Sequence, residues 1–439
     1  MTQPGSVPTQ ADRGWFGHPR GLSTLFFTEM WERFSYYGMR GFLILYMTKA
    51  LGFTDKDAGL AYGNYVSAVW LTPILGGLIA DRWLGQYRSV LYGGIIIALG
   101  HFTLAFPPLP FFYAGLTLIV IGTGLLKPNI SALVGSLYES GDERRDAGFS
   151  IFYMGINIGA FLGPIIAGRL AEGVDWHLGF ACAGIGMVFG LVQYVLGRRR
   201  LQPGIERLAF RPPPATTPGA AKPGRLSGDD WRRIAAVLVL FLFASLFWGA
   251  YEQAGSTLSL FADRYVNLEF LGIKLYASYF ASIQAGFVIL LSPLFAWLWI
   301  RLGPRQPSSP AKFALALVFV GLAFILLMPA GSLAQQGIKV SPLWLVGAYF
   351  IQELGELCLS PVGLSLVTKV APVRLVGLLM GMFFLSNALG NWLAGWSARF
   401  ISTAPLVQLF GVIAAITIAA GLILFLLLRP IRHLMGGVR

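Results

Sequence analysis

Four charged residues lie within one apolar stretch near the start of the chain. Residues 21–50 are hydrophobic enough to cross a bilayer, yet they include Glu29, Glu32, Arg33 and Arg40. A charge at the centre of a membrane helix costs roughly 2.5–3.5 kcal/mol even on the lenient insertion scale. On a helix these charges fall on one arc, so we expect them to face protein or water rather than lipid. Such a stripe is typical of a solute or proton pathway; the alternative is a buried ion-pair cluster that only locks helices together.

A lysine lies deep in another apolar segment. Lys127 precedes Pro128 in the sequence GTGLLKPNISALVG, where an ammonium group is costly unless a carboxylate or a wet cavity is near it. Glu29 and Glu32 are the partners that we expect. The alternative is a lysine at a helix end whose ammonium reaches the interface, but Lys127 lies too far inside its segment for that.

Two carboxylates lie in apolar segments of the second half of the chain. Trp248 and Glu252 are four residues apart and therefore share a helix face. Arg40, at the predicted outer end of the first span, is available to pair with Glu252, either as a closable gate between the two halves or as a packing contact. Glu356 comes one turn before Ser360, and a solitary carboxylate in hydrocarbon is expected to carry a proton.

The remaining polar residues of the apolar segments allow several readings. Asn157 lies between two glycines and forms either a hydrogen bond between helices or a contact with a substrate. Glu353, one turn before Glu356, is expected nearer a helix end. The four histidines are dispersed, and the chain has neither a nucleophile–base set nor a phosphate-binding or dinucleotide fingerprint. These observations argue against an enzyme and against an ATP-driven pump, and we expect no cofactor and no metal.

The composition is that of an integral membrane protein. Hydrophobic residues make up 56% of the chain and charged residues 12%, and the mean hydropathy is +0.66. A soluble domain carries about twice that share of charge. The net charge of +13 does not indicate nucleic-acid binding, because most lysines and arginines lie in alternate loops, as topology signals do. Both cysteines lie in apolar segments and are expected to be free thiols.

The apolar pattern predicts an all-α protein with twelve membrane spans. The spans are expected at 21–50, 58–80, 88–106, 111–138, 147–170, 177–197, 234–262, 274–300, 312–331, 342–368, 375–401 and 405–428. The basic loops place both termini in the cytoplasm and the chain in the inner membrane, with no cleaved signal peptide. The predicted parts are a tail (1–20), a six-helix bundle (21–197), a linker (198–233), a second six-helix bundle (234–430) and a tail (431–439).

The linker 198–233 is rich in proline, glycine and basic residues, so we expect it to be mostly flexible. Its basic residues either contact anionic lipid headgroups or form a solvated topogenic loop. The two halves echo each other, because the loop GLIADRWLG at 77–85 is matched after the eighth span by WIRLG at 299–303. This layout and the Gly-xxx-Asp-Arg motif resemble the major facilitator superfamily.

Three longer motifs resemble those of the proton-dependent oligopeptide transporter family of that superfamily. EMWERFSYYG at 29–38 matches the family's ExxERFxYYG signature, 76–100 resembles its second signature, and FYMGINIGAF at 152–161 resembles its third. The resemblance covers essentially the whole chain. It implies a major facilitator fold and a proton-coupled symporter of di- and tripeptides, with protons as the coupling ion, membrane lipids as surroundings, and a monomer as the expected state.

The resemblance also implies roles for individual residues. Proton coupling would involve Glu29, Glu32 and Glu356. Substrate binding would involve Arg33, Tyr36, Tyr37, Trp70, Lys127, Asn157, Trp248, Gln284, Glu356 and Ser360. In this scheme Arg33 and Lys127 face the peptide carboxylate, and Arg40 with Glu252 forms an outer gate. A zwitterionic peptide fits this scheme, because it needs cations at one end of a cavity and an acceptor at the other.

The chain departs from the family pattern at several positions. Gln284-Ala285 stands where Asn-Pro is familiar, Phe383 replaces a tryptophan, and Trp70 stands where tyrosine is common. The linker is too short in apolar length for the two extra helices of many bacterial members, and no histidine lies in span 2, so coupling is expected to use carboxylates.

Other functions remain open at this stage. The same fold can carry nitrate, a modified peptide or another small anionic or zwitterionic solute, and a drug–proton antiporter is a further alternative. A membrane-embedded lipid enzyme would need a catalytic cluster near one interface, whereas the polar residues here lie on spans of both halves. A non-transporting nutrient receptor would fail to show counterflow.

Overall fold

The computed structural model describes residues 14–139, 141–209, 228–370 and 376–435, with the side chains at 229, 361–370, 376–378, 380 and 432 outside that description. Its helices are α1 Arg20–Lys49, α2 Asp55–Ile79, α3 Gln86–Leu104, α4 Leu109–Ser136, α5 Arg144–Gly173, α6 Trp176–Leu196, α7 Arg198–Ala209, α8 Gly228–Tyr251, α9 Thr257–Tyr265, α10 Tyr279–Leu302, α11 Ser309–Gln335, α12 Leu343–Val370, α13 Val376–Ser397, α14 Leu406–Leu426 and α15 Leu428–Leu434. A two-residue hairpin, β1 Glu269–Phe270 and β2 Ile273–Lys274, joins α9 to α10.

The long helices lie where the apolar pattern predicts membrane spans. A helix satisfies its own backbone hydrogen bonds, which hydrocarbon cannot do for it. Within the described ranges, eight helical segments are long and apolar enough to cross a membrane by length and composition. The first helix falls outside that group because of its charges, although it coincides with the first predicted span. The all-α membrane fold predicted from the sequence is therefore confirmed.

Each half of the chain packs mainly on itself. In the first half α1 packs against α5 and α6, and α3 packs against α4 and α6. In the second half α11 packs against α12 and α14, and α8 packs against α13. The halves meet where α2 contacts α13 and where α5 contacts α10. At the first of these contacts a Cβ on Gly59 would collide with the carbonyl oxygen of Gly395, so glycine permits the two backbones to meet.

The prediction of a mostly flexible linker is wrong for its first third. Residues 198–209 form the helix α7, which packs against the end of α4. Leu201 is fully buried there, and the guanidinium of Arg207 donates hydrogen bonds of 3.0 and 2.9 Å to the carbonyl oxygens of Ser136 and Leu137. These carbonyls have no partner within α4, so the arginine stabilises the helix end. The linker residues 210–227 lie outside the described part of the chain.

The seventh predicted span is not one continuous helix. The α-helix α8 ends at Tyr251, a 3-10 turn runs from Glu252 to Gly255, and α9 begins at Thr257. Ser256, between the two, has φ −126° and ψ −95°, which is outside helical geometry. Broken helices in membranes are found where backbone lines a cavity or is covered by protein. This break therefore marks a place where the second half approaches the first.

Candidate functional site

A cavity of about 880 Å³ lies between the two halves of the protein, and we call it the central cavity. Twelve of the predicted site residues line it: Glu29, Arg33, Tyr37, Arg40, Trp70, Lys127, Asn157, Trp248, Glu252, Gln284, Glu356 and Ser360. They come from seven helices and the 3-10 turn, and both halves contribute. Charges that are far apart in the sequence therefore share one enclosed space.

The charges of the first half are paired with one another. The Nε atom of Arg33 lies 3.2 Å from a carboxylate oxygen of Glu29 and also hydrogen-bonds the carboxylate of Glu32. All three side chains are at least 96% buried. The Nη2 atom of Arg33 and one oxygen of each glutamate have no hydrogen-bond partner in the described part of the chain. The cluster therefore keeps unused donors and acceptors buried beside the cavity.

Lys127 interacts with its two predicted partners without forming a salt bridge. Glu29 and Glu32 act on Lys127 through their charges, whereas its ammonium nitrogen lies 3.7 Å from the centre of the Trp70 ring. Both glutamates face Arg33, while Trp70 comes from α2, which packs directly against α4. An ammonium over an indole face gains a cation–π attraction without being neutralised. Lys127 therefore reaches the central cavity with its positive charge available to an anion.

Two predicted residues of α1 do not reach the cavity wall. Glu32 is 0% exposed and Tyr36 is 3% exposed, and neither lines the central cavity. The arc of charged residues is wider than the part of α1 that faces the cavity, so its edge packs against protein. The Cζ atom of Arg33 lies 5.2 Å from the centre of the Tyr36 ring. Tyr37, the next residue, does line the cavity.

Two carboxylates of the second half, Glu353 and Glu356, lack such cations. Glu356 and Ser360 line the central cavity, and Gln284 donates a hydrogen bond of 3.1 Å to Gln352. Glu353 lies nearer the start of α12 than Glu356 does, as expected from the sequence. Its side chain is nevertheless 0% exposed, and it accepts a hydrogen bond of 2.7 Å from the hydroxyl of Tyr251. Among the described residues no cation lies within 4.0 Å of either carboxylate.

Asn157 lines the cavity rather than joining helices. Its Nδ2 atom donates a 3.0 Å hydrogen bond to the carbonyl oxygen of Tyr153, one turn earlier in α5. Within the described ranges its side chain makes no hydrogen bond to another helix. Of the two readings that the sequence allowed, this geometry agrees better with a position on the cavity wall, and the contact with a substrate stays a prediction.

The structure pairs Arg40 with Glu252 across the two halves. The guanidinium of Arg40 hydrogen-bonds the Glu252 carboxylate, and its Nε atom donates to the hydroxyl of Tyr62 at 2.6 Å. Glu252 opens the 3-10 turn that interrupts the seventh span. The carboxylate therefore projects from the helix break toward α1, and the pair closes the predicted outer end of the central cavity.

Further bonds between the halves lie beyond this pair, on the side that the positive-inside rule assigns to the exterior; we call it the outer side. They are Lys49 Nζ to Asp263 at 2.5 Å, Arg264 Nη2 to Asp55 at 2.5 Å, and the Glu172 carboxylate to the backbone N–H groups of Ser278 at 2.9 Å and Ala277 at 3.2 Å. At the opposite end the cavity lining continues to Leu78, Asp81 and Ser131, which are exposed. The cavity is thus closed on the outer side and open on the other.

Several residues of the cavity wall carry no signal that the sequence reasoning used. They are Tyr153, Tyr251, Ala281, Phe384 and Asn387. Tyr251 precedes a predicted gate residue and Tyr153 lies inside a recognised motif, so position could have indicated both. An aromatic or small residue in an apolar span is otherwise indistinguishable from packing. Among the described residues no three His, Cys, Asp or Glu side chains come together to hold a metal ion.

Comparison with known proteins gives a consistent picture. The sequence model of the POT family matches residues 87–204 and 224–419. The chain is 37% identical to a di-/tripeptide transporter of Lactococcus lactis subsp. lactis (strain IL1403), covering 98% of this chain and 99% of that protein. It is 40% identical to an uncharacterized transporter, YclF, of Bacillus subtilis (strain 168), covering 99% and 98%.

Solved structures of this family share the fold. A crystal structure of a peptide transporter POT in complex with sulfate superposes with a TM-score of 0.90, at 39% identity and 97% coverage of both chains. A mutant of a peptide transporter POT in complex with alafosfalin gives a TM-score of 0.89 at 39% identity, again with 97% coverage of both chains. The fold, the long family match and the relatives agree: this chain belongs to the POT family of membrane transporters.

Proposed function

We propose that the protein is a proton-coupled symporter that imports di- and tripeptides across the cytoplasmic (inner) membrane by alternating access. The proposal includes cytoplasmic termini and a monomeric carrier. The observation that carries it is the central cavity, which has the cations Arg33 and Lys127 on the wall of the first half and, on the wall of the second half, the carboxylate of Glu356 with no cation within 4.0 Å among the described residues. A zwitterion is the solute that such a distribution of charge favours.

The cavity suits a short peptide in size as well as in charge. Its volume of about 880 Å³ lies within the range of roughly 300–1,000 Å³ that is usual for small-molecule sites. The cations on the cavity wall that would attract a peptide carboxylate are Lys127 and Arg33, whose Nη2 atom is buried without a hydrogen-bond partner in the described part of the chain. Glu356 supplies a negative charge for the peptide ammonium, and the aromatic side chains of Trp70 and Trp248 supply apolar wall for side chains.

Proton coupling follows from the competition for Arg33. When Glu29 and Glu32 are ionised they hold the guanidinium of Arg33 in ion pairs. A proton on either glutamate removes one of these pairs and leaves the guanidinium to a second anion. Binding of the peptide carboxylate and protonation of the glutamates are therefore mutually favourable, which is what a symporter requires.

Alternating access requires that the closed side can open. The Arg40–Glu252 pair and the bonds on the outer side all join the two halves, so their separation would admit a peptide from outside. Rocking of two six-helix bundles about a central site is how this fold class exchanges its open side. In that cycle, a carrier closed on the outer side and open on the other would be the inward-open form.

Reconstitution in proteoliposomes tests the proposal. A membrane potential contributes about 2.3 kcal/mol per proton at 100 mV, and a pH unit adds about 1.4 kcal/mol, so we expect labelled dipeptide to accumulate several hundred-fold at equilibrium. A protonophore should abolish this accumulation. Uptake that survives the protonophore unchanged would contradict proton coupling.

The substitution Glu32→Gln separates coupling from binding. We expect it to abolish proton-driven uptake but to leave peptide counterflow, because exchange requires no net movement of protons. The control is Glu29→Gln, which removes the 3.2 Å partner of the same arginine. If Glu32→Gln left both activities at the wild-type level, Glu32 would be a structural partner only.

A smaller zwitterion is a second candidate substrate. A POT family transporter of known structure, 30% identical with a TM-score of 0.86, is described in complex with 5-aminolevulinic acid. The same cations and carboxylates would hold such a solute. Competition of 5-aminolevulinic acid with labelled dipeptide in counterflow distinguishes the two, because only a shared site gives mutual inhibition.

A further inference from the structure

Glu353 is a buried carboxyl group for which the proposed transport cycle has no role. It lies in α12 one turn before Glu356, yet it is 0% exposed and does not line the central cavity. Its Oε1 atom accepts a hydrogen bond of 2.7 Å from the Tyr251 hydroxyl. Its Oε2 atom has no hydrogen-bond partner in the described part of the chain. The group is thus held at one oxygen only, by a residue that does line the cavity.

The surroundings of Glu353 offer it no compensating charge. The titratable groups that face it are Tyr251 from α8, Tyr153 from α5 and Glu356 from its own helix. Glu252, the next residue after Tyr251, is engaged by Arg40. On α10 the amide of Gln284 hydrogen-bonds Gln352, the residue before Glu353, and on α11 the cation Lys312 hydrogen-bonds Gln306 at 2.8 Å.

A neutral carboxyl group is the form that this site favours. An isolated ionised carboxylate in a membrane interior costs several kcal/mol, and a second carboxylate one turn away adds repulsion. A protonated carboxyl group avoids both costs, and its carbonyl oxygen still accepts the Tyr251 hydroxyl. Glu353 therefore acts as an uncharged acceptor behind the cavity wall.

The hydrogen bond fixes an aromatic part of that wall. The Tyr251 ring stacks on Phe247 at 5.6 Å and 21°, and it meets the Trp248 ring edge-on at 5.5 Å and 88°. Tyr251 and Trp248 both line the central cavity. Tyr251 is also the last residue of α8, directly before the 3-10 turn that carries Glu252. A displaced Tyr251 would disturb both the wall and the start of that turn.

We propose that Glu353 is a positioning residue for substrate binding, which fixes the Tyr251–Trp248 wall of the central cavity and keeps its proton throughout the transport cycle. The proposal rests on the proposed function in taking a peptide as the substrate. The proposal assigns proton coupling to Glu29, Glu32 and Glu356. It excludes Glu353 from proton transfer, although Glu353 is more deeply buried than Glu356, the other acid of α12.

Four variants in proteoliposome counterflow test the proposal: Glu353→Gln, Glu353→Leu, Tyr251→Phe and the control Tyr349→Phe. Glu353→Gln keeps an acceptor for the hydroxyl, so its KM and the pH profile of driven uptake should match the wild type. Glu353→Leu and Tyr251→Phe should each raise KM about three- to tenfold, as expected for one lost neutral hydrogen bond, with little change in maximal rate. The hydroxyl of Tyr349, also in α12, has no partner in the described part of the chain, so its removal should change nothing.

The double variant Tyr251→Phe with Glu353→Leu should have the KM of either single variant, because both remove the same bond. Additive effects, or an unchanged KM for Tyr251→Phe, would overturn the positioning role, and this second result does not depend on whether Glu353→Leu folds. A Glu353→Gln variant that keeps counterflow but loses proton-driven uptake would show that Glu353 carries a transported proton.

Failure of the proposed function would look different. If the wild-type protein exchanged no peptide, peptide transport would be refuted. The hydrogen bond between Tyr251 and Glu353 could still be measured. The ultraviolet difference spectrum between wild type and Glu353→Leu reports whether the Tyr251 hydroxyl changes its environment. A Tyr349→Phe spectrum serves as the reference, and the absence of any Tyr251 change would overturn the positioning role.

Discussion

The two walls of the central cavity differ in how their carboxylates are held. In the first half Glu29, and Glu32 behind it, share the guanidinium of Arg33. In the second half Glu252 pairs with Arg40 at the closed end, but Glu356, and Glu353 behind it, have no cation within 4.0 Å among the described residues. A paired carboxylate keeps its charge until a proton competes with the arginine, but an unpaired one needs a proton or a cationic ligand to be stable. In the proposed transport cycle the first arrangement would release a cation on protonation, and the second would capture one.

Removal of Arg33 should have the largest effect on this contrast. Arg33→Ala leaves two buried glutamates without a partner, and breaking a buried pair costs about 3–5 kcal/mol. We expect uptake to fall by about 100-fold or more and the melting temperature of the purified protein to drop. Arg33→Lys is the matched control and should restore stability but only part of the uptake, because an ammonium lacks the planar fork. Normal uptake by Arg33→Ala would show that the paired wall has no role in transport.

The next largest effect is expected where the two walls are joined. Arg40→Ala and Glu252→Ala each leave a charge unpaired at the closed end of the cavity, so both should reduce uptake strongly. Reversal of the pair, Arg40→Glu with Glu252→Arg, should recover part of the activity if the two side chains meet during transport. A double-mutant cycle of uptake rates with no coupling energy would exclude the pair as a gate.

Glu356→Gln should have a smaller and selective effect. The substitution breaks no ion pair, so the protein should fold normally, but the peptide ammonium loses its partner. We expect KM to rise about tenfold for a free dipeptide, the loss of roughly one charged contact of 1.4 kcal/mol, and to change little for the N-acetylated form. An equal rise in KM for both peptides would show that Glu356 is not the partner of the peptide ammonium. It would also weaken the contrast between the two walls.

Lys49→Ala should have the smallest effect. Lys49 is 46% exposed and pairs with Asp263, and exposed pairs contribute about 0.2–1 kcal/mol. Its removal should change the uptake rate by less than about twofold. Arg264→Ala, which removes a more buried contact with Asp55, is the comparison and should show the larger change. Kinetics of labelled dipeptide uptake at low salt measure both, and a greater effect of Lys49→Ala would reverse this order.

Because charges within apolar segments are rare, much of the site could be predicted from the sequence. Arg40 and Glu252 could be matched because few charges lie inside the spans, so few pairings exist. The contact of Lys127 with Trp70 was missed because spacing along α4 does not say which neighbouring helix the lysine faces, and a tryptophan carries no charge that would indicate a partner. Tyr251 went unnoticed because a tyrosine in an apolar span looks like packing. The helix α7 was missed because its proline, glycine and many charged residues are typical of a flexible linker. One leucine, Leu201, is too weak a pattern to predict a packed helix.

The bonds of the outer side have a consequence for how the carrier responds to its medium. Lys49 with Asp263 and Arg264 with Asp55 lie at the rim of the closed end, where solvent ions can reach them. The Debye length falls from about 10 Å at 0.1 M salt to about 3 Å at 1 M, so external salt weakens these pairs while the buried Arg40–Glu252 pair keeps its strength. In the proposed transport cycle, we therefore expect ionic strength on the outer side to shift the balance between the inward-open and outward-open forms without acting on the substrate site.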